Sequence, residues 1–248
     1  MSRVSKKDLN IKNLETEIAR LKKLVYFDEL TKILNRRGFE EEAGRIFRYV
    51  YSRHSLSFNR KTDRLPFSVI FIDIDNFKKI NDKYGHEEGD KVLRHTAKVM
   101  KTVLRGDDIY ARWGGEEFVV AIPQVSKNIA VRIAEKLCNA FADSHVELDG
   151  KKEQVTMSVG IVMHSNESDL NEMIKKADEA MYKAKRNGKN QVVVFTHGEE
   201  EIGYFLKMFH LVKSLGKEDE IKDEQNIKKV KTDKITTRQI KTRRIPSI

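Results

Sequence analysis

The stretch I-Y-A-R-W-G-G-E-E-F-V-V-A-I, residues 109–122, decides how this chain is read. Its arms, residues 109–113 and 118–122, are rich in β-branched and aromatic side chains, the composition of strands. Between them Gly114-Gly115 predicts a hairpin turn, because paired glycines tolerate positive φ. Glu116 and Glu117 then stand at the tip, beside a bare backbone. Adjacent carboxylates repel, and strands disfavour Glu. A divalent cation would relieve that repulsion, and the glycines would let a ligand reach the main chain. The plainer reading of the four residues alone is an exposed turn with two solvated acids.

Outward from this hairpin, residues 67–73 read F-S-V-I-F-I-D, an apolar run of strand length. The run ends in Asp73-Ile74-Asp75. Carboxylates at the end of a buried strand present oxygen ligands to a hard cation such as Mg²⁺. Alternatively, they are strand-terminating acids with no ligand.

Together the two stretches resemble the signature of the GGDEF family, the diguanylate cyclases, which make cyclic di-GMP from two GTP. The resemblance covers residues 28–195 and rests on five segments in order. Asp28-Glu29-Leu30-Thr31 with Leu34-Asn35-Arg36-Arg37 is similar to the opening motif of the family. Residues 71–78, F-I-D-I-D-N-F-K, resemble its metal and phosphate segment, and Asn81 to Asp90 its base-recognition segment. Residues 114–118 are the GGEEF form of the signature. Residues 177–190 resemble its last helix and turn.

The resemblance implies an α+β fold with a ferredoxin-like βαββαβ core, as in nucleotide cyclases. It implies that Asp73, the carbonyl of Ile74 and Glu116 bind Mg²⁺ or Mn²⁺. Glu117 is implied as a further ligand or as the group that helps activate the attacking hydroxyl. Around the substrate it implies main-chain donors near Phe77 and Lys78, close approach at Gly114 and Gly115, and phosphate contacts from Lys185 and Lys189. The last position is more often Arg in the family, and Lys supplies charge without a bidentate fork. A solvated helix end is the plainer reading of both lysines. Asn81 and Asp90 are implied as guanine ligands; both can accept from its N1–H and N2–H₂ edge, a donor pair that adenine lacks. Arg105 and Asp108 resemble the RxxD inhibitory site of the family at its usual distance from the signature, where cyclic di-GMP acts as feedback ligand. A surface turn with a local ion pair is the alternative there.

Composition suits these expectations. The chain has 248 residues, 39% hydrophobic and 35% charged, enough for one domain with appendages. The one cysteine, Cys138, excludes an internal disulfide framework and reads as a buried thiol on a helical face with Ala134 and Phe141. No apolar run reaches the length of a membrane span, and the first residues lack a signal-peptide core, so a cytoplasmic location is expected. The charge is concentrated at one end. Residues 225–248 carry eight Lys or Arg against one acid, a net +7 of the chain's +10. That segment lacks interleaved aromatics, so it predicts electrostatic attraction to polyanions and no specific nucleic acid.

Val4, Ile11, Leu14, Ile18, Leu21 and Val25 occupy a and d positions of one heptad frame, with Lys7 interrupting it. This predicts a short parallel coiled coil, with a single helix packed on its own domain as the alternative. Three regions follow: residues 1–26 as a coiled-coil or signalling helix, 27–197 as the catalytic domain, and 198–248 as an amphipathic segment (201–215) and a basic tail. Helices are expected from about 28 to 51, 87 to 104, 127 to 142 and 170 to 186. Residues 52–65 read as a loop. Residues 146–148 and 154–163 read as a hairpin turning at Asp149-Gly150, and 191–195 as the final strand of an antiparallel sheet.

Two GTP make one product, so a two-fold homodimer is expected, with the N-terminal helix raising the local concentration of domains or receiving an upstream signalling partner. A non-catalytic receptor of cyclic di-GMP is the alternative function; the full set of acids and lysines argues against it.

Overall fold

The computed structural model describes residues 6–56, 66–164 and 169–196, all within a compact unit spanning Met1–Gly203. The expected amphipathic segment 201–215 and the basic tail lie outside the described residues. In chain order the elements are α1 (Lys6–Tyr26), β1 (Leu34–Asn35), α2 (Arg36–Leu56), β2 (Phe67–Ile74), α3 (Phe77–Tyr84), α4 (His86–Val103), β3 (Ile109–Arg112), β4 (Glu117–Pro123), α5 (Lys127–Asp143), β5 (His145–Leu148), β6 (Lys151–Gln154), β7 (Met157–Met163), α6 (Leu170–Arg186) and β8 (Gln191–Val194).

The main sheet has the order β1-β3-β4-β2-β7-β8. Its inner four strands, β3-β4-β2-β7, are antiparallel, with α4 crossing from β2 to β3 and α5 from β4 towards β7. This is the ferredoxin-like core. The edges depart from the expected antiparallel sheet: β1 runs parallel to β3, and β8 runs parallel to β7. The second pairing follows from the α6 crossover, since parallel neighbours need a long connection.

β2 is buried along its whole length, which is why its sequence is an unbroken apolar run. Phe67, Val69 and Phe71 point to one face, where they join Phe39 and Phe47 of α2 and Met173, Ala177 and Met181 of α6. α5 covers the opposite face against β7 and β8, with α4 beside it. Gly160 of β7 lets α6 lie directly on the sheet. A Cβ there would overlap the carbonyl of Ala177 and the amide of Met181. That approach carries the end of α6 to the ends of β2 and β7.

Several boundaries differ from expectation. No helix starts at Asp28; its carboxylate accepts from the amide and hydroxyl of Thr31 and folds residues 28–31 into a turn. α2 starts at Arg36 and runs to Leu56, into the expected loop. The strand expected at 154–163 is β7 from Met157, and Gln154 instead ends a separate strand, β6. β5 pairs with β6 in a separate two-stranded sheet, and β7 joins the main sheet after Val155 and Thr156. Residues 77–84 form a short helix, α3. Glu117 is the first residue of β4 and not part of the hairpin tip.

α1 is helical as the heptad frame predicts, and Ile11, Leu14, Ile18, Leu21 and Val25 are all exposed along it. Its last turn is fastened to the domain. Asn35 donates to the carbonyls of Val25 and Phe27, and a Cβ on Gly38 would overlap the carbonyl of Tyr26.

Candidate active site

The site forms where β2 ends. Asp73 stands opposite Glu117 of β4 on one side and Ser158 of β7 on the other. Directly paired residues share a sheet face, so Asp73 and Glu117 both project towards α6. Lys185, on the last turn of α6, places Nζ 2.5 Å from Asp73 Oδ2. The other oxygen, Oδ1, is buried with no hydrogen-bond partner. Asp73 is 4% exposed. Burial pushes its carboxyl up; Lys185 works against this, and Asp75 and Asp178 add to it. Glu116 and Glu117 are also pushed up, first by burial and then by the charge of Asp73. Lys185 thus holds one end of a carboxylate cluster that is costly to ionise.

The signature turn is held by main-chain and side-chain contacts. The amide of Ile74 donates to the carbonyl of Glu116 at 3.3 Å, and the amide of Trp113 to that of Glu117 at 2.8 Å. Arg112 donates to the carbonyls of both Gly114 and Gly115. Neither glycine adopts the positive φ expected of them. Gly114 lies beneath the Glu117 side chain: a Cβ there would come 2.5 Å from Glu117 Oε2, the far end of a flexible side chain that can move aside. Gly115 faces open space.

Phe77 and Lys78 lie in the first turn of α3, where amides have no intrahelical acceptor. Asn76 precedes them in the left-handed region, φ 59°. Lys189, from the turn after α6, donates to Asn76 Oδ1 at 2.6 Å. The expected phosphate donors therefore meet from two ends of the sequence. Asn81 faces α4, and a Cβ on Gly89 would overlap its Oδ1. That oxygen is buried and has no hydrogen-bond partner among the described residues. Asp90, half-buried on α4, has Arg94 at 3.8 Å.

Arg105 and Asp108 share a turn before β3. Arg105 is exposed, whereas Asp108 is 7% exposed and accepts from the Arg105 amide at 2.8 Å. The two side chains are not presented equally. Arg105 is free to reach outward while Asp108 also holds the turn.

Among the described residues no three His, Cys, Asp or Glu side chains are grouped closely enough to hold a metal by themselves. The unpartnered Asp73 oxygen and the raised acids nevertheless fit an open Mg²⁺ site completed by main-chain and phosphate oxygens.

Two contributors to the site had no role in the sequence reading: Arg112, which fastens the turn, and Asp178, which adds negative charge from α6. Asp75, read with Asp73 as a possible cation ligand, is buried with both oxygens hydrogen-bonded.

The family described as "Diguanylate cyclase, GGDEF domain" matches residues 25–191. The chain belongs to this family. It is 34% identical over 190 residues to a diguanylate cyclase of Vibrio cholerae, covering 75% of this chain and 56% of that protein. The curated relatives it matches are longer, and the chain spans 27% to 56% of their length. Among solved structures, the active GGEEF domain of a Vibrio cholerae diguanylate cyclase superposes with a TM-score of 0.56 at 33% identity, covering 66% of this chain and 98% of that one. The coiled coil and GGDEF domain of DgcB from Caulobacter crescentus, solved with c-di-GMP, gives a TM-score of 0.67 at 24% identity, covering 76% and 95%. That second likeness concerns the fold alone. Within the GGDEF domain of this chain, the Asp73–Glu117 pair marks the C-terminal end of the central strand, where the signature hairpin, α3 and α6 converge. No helix among the described residues is long and apolar enough to cross a membrane.

Proposed function

We propose that this GGDEF domain condenses two GTP into cyclic di-GMP and two pyrophosphates across a two-fold dimer. The observation that carries the proposal is the Asp73–Glu117 pair, with a buried free oxygen on Asp73 and Lys185 on the other. An isolated acid cluster of this kind is disfavoured unless a cation joins it. The similarity to the Vibrio cholerae proteins, named as diguanylate cyclase and active GGEEF domain, supports the same activity.

In each half-reaction the 3′-hydroxyl of one GTP attacks the α-phosphorus of the other, and pyrophosphate leaves. Asp73, the Ile74 carbonyl and Glu116, with Glu117 adjacent, would hold Mg²⁺ or Mn²⁺, which neutralises phosphate charge when bound. Glu117 is pushed up by burial, Asp73 and Asp178, which suits it to take the hydroxyl proton. The amides of Phe77 and Lys78, with Lys189 and Lys185, hold the triphosphate. The Asn81 oxygen accepts from guanine, and Asp90 closes the same edge.

Two such sites must face each other. The exposed apolar stripe on α1 supports a parallel pairing that brings two domains together. Product returning to Arg105 and Asp108 would restrain that approach. Incubation of the protein with GTP and Mg²⁺, with chromatographic resolution of products, tests the proposal. Cyclic di-GMP and pyrophosphate in a 1:2 ratio are expected; linear products or unchanged GTP would refute it.

A further inference from the structure

We infer that Asp75 is a positioning residue for the triphosphate, acting through the turn that carries Lys189. This rests on reading the cleft as a GTP site. Asp75 follows the end of β2 and is 3% exposed. Its carboxylate accepts three hydrogen bonds. Ser158 Oγ donates to Oδ1 at 2.6 Å, while Thr156 Oγ1 at 2.7 Å and the amide of Asn190 at 3.0 Å both donate to Oδ2. Its own amide donates to the carbonyl of Thr156 at 2.8 Å. One side chain therefore joins the end of β2, the start of β7 and the turn between α6 and β8.

That turn is strained. Gly188, Lys189 and Asn190 have φ of 113°, 63° and 45°, three successive residues in a region that L side chains rarely adopt. Such a run persists only where its surroundings over-determine it. At one end the Lys189 amide donates to the carbonyl of Ala184 at 3.0 Å. At the other, Asp75 takes the Asn190 amide. Between these anchors Lys189 is directed onto Asn76 Oδ1, beside the first amides of α3. Asn76 is itself left-handed, and it is the residue after Asp75. Asp75 thus bonds the turn that carries Lys189 through its carboxylate and leads into the first turn of α3 through the chain itself.

The chemistry calls for an acid here. All three partners are donors, and a main-chain amide cannot reverse its role as a hydroxyl can. Asn at this position keeps the shape but turns one acceptor into a donor. A ligand role for Asp75 itself is disfavoured, because both of its oxygens are already engaged.

The test is a binding cycle on the full chain with a non-cyclisable GTP analogue and with guanosine, measured by equilibrium dialysis. Asp75→Asn is expected to weaken the analogue about tenfold and to leave guanosine within about twofold. In a Lys189→Ala background the same substitution should add less than about twofold, since the two act through one contact. A full loss added on top of Lys189→Ala, or an equal loss for guanosine, would overturn the inference. Should Asp75→Asn fail to fold, Thr156→Val runs the same cycle with a loss of about threefold expected, and the same two outcomes count against it. A wild-type chain that binds neither ligand would refute the GTP reading and this inference with it. Binding without any cyclic di-GMP would refute only the catalytic reading.

Discussion

Arg112 joins Asp28 to the signature turn: its Nη1 lies 3.2 Å from Asp28 Oδ2, while Nε and Nη2 hold the carbonyls of Gly114 and Gly115. Asp28 sits two residues past the end of α1, so one guanidinium spans from that helix's exit to the turn bearing Glu116. Both side chains are largely covered, 18% and 21% exposed. Arg112→Ala should cost about 2 kcal/mol of stability, because it leaves a covered carboxylate and two carbonyls without their donor. It should also lower kcat at least about tenfold by loosening the turn. Urea unfolding and initial rates check both; an unchanged rate in a folded variant would separate the clamp from catalysis.

The same pair sets an acid limit. Burial works against ionisation of Asp28, but the hydroxyl and amide of Thr31 and the charge of Arg112 outweigh it and hold the carboxyl below its ordinary value. A depressed carboxyl contributes stability that is present above the ordinary carboxylate range and is lost as pH falls through the depressed value. Asp28→Asn keeps the Thr31 contacts in shape and removes the charge. Its stability deficit should be present at pH 7 and vanish towards pH 3, as followed by urea midpoints.

The acid cluster has the opposite sign. Asp73, Glu116 and Glu117 have raised carboxyls, with burial as the first cause in each. Without a cation, stability should therefore fall as pH rises from the ordinary carboxylate range through the raised values. A bound cation needs the ionised forms, so its affinity should rise over the same window. Melting curves between pH 4.5 and 8, with Mg²⁺ and with chelator, should converge at the acid end and separate above it. Glu116→Gln should narrow that separation and abolish turnover while leaving the melting curve in chelator no lower than wild type. A variant with normal turnover would remove Glu116 from the mechanism.

How much of this was legible in the sequence depended on where the partners lay. β2 could be read because both of its faces are buried, which leaves an unmixed apolar run. The βαββαβ core was implied by the family resemblance; the order of elements read from periodicity and turn residues permitted it. β6, with the sequence K-K-E-Q, has no alternation to read, so the expected hairpin left out residues 151–153 and joined only Gln154 to the β7 run. β1 has two residues, too few for any pattern. Glu117 was assigned to the hairpin tip because register is a tertiary quantity, fixed here by pairing with Asp73 forty-four positions away. Asp75 could not be told from Asp73, since its donors lie at Thr156, Ser158 and Asn190. The glycines of the signature were expected to take positive φ and to let a ligand reach the main chain; neither takes positive φ, and Gly114 lies beneath the Glu117 side chain.

α1 exposes Ile11, Leu14, Ile18, Leu21 and Val25, with 39% to 63% of each accessible. An apolar stripe of this kind on a lone helix is buried most simply against its own copy. Specific activity should rise with protein concentration, and deletion of residues 1–24 should lower it and shift the sedimentation profile to monomer. A truncated protein that remains dimeric at low micromolar concentration would show that the seam lies elsewhere.

Feedback by product is the most exposed of the proposals, because Arg105 and Asp108 occupy unlike environments. Arg105 is at the surface; its amide donates to Asp108 and its charge acts on that carboxyl, with no hydrogen bond from the guanidinium seen among the described residues. Its fork suits the O6/N7 edge of guanine. Asp108 is nearly covered, and its Oδ2 caps the Arg105 amide. Burial is the first cause that pushes its carboxyl up, ahead of the opposing contacts from Arg105. Ligand donors would have to approach an acid already committed to its own turn. The two variants should therefore separate. Arg105→Ala should melt like wild type, retain its uninhibited rate, and lose inhibition by cyclic di-GMP at least about tenfold. Asp108→Ala should lose inhibition and also about 1 kcal/mol of stability, since the turn leading into β3 loses its cap. Initial rates against added cyclic di-GMP, with melting curves for each variant, decide the matter. Equal inhibition of wild type and Arg105→Ala would remove this turn from regulation and leave Asp108 a purely structural acid.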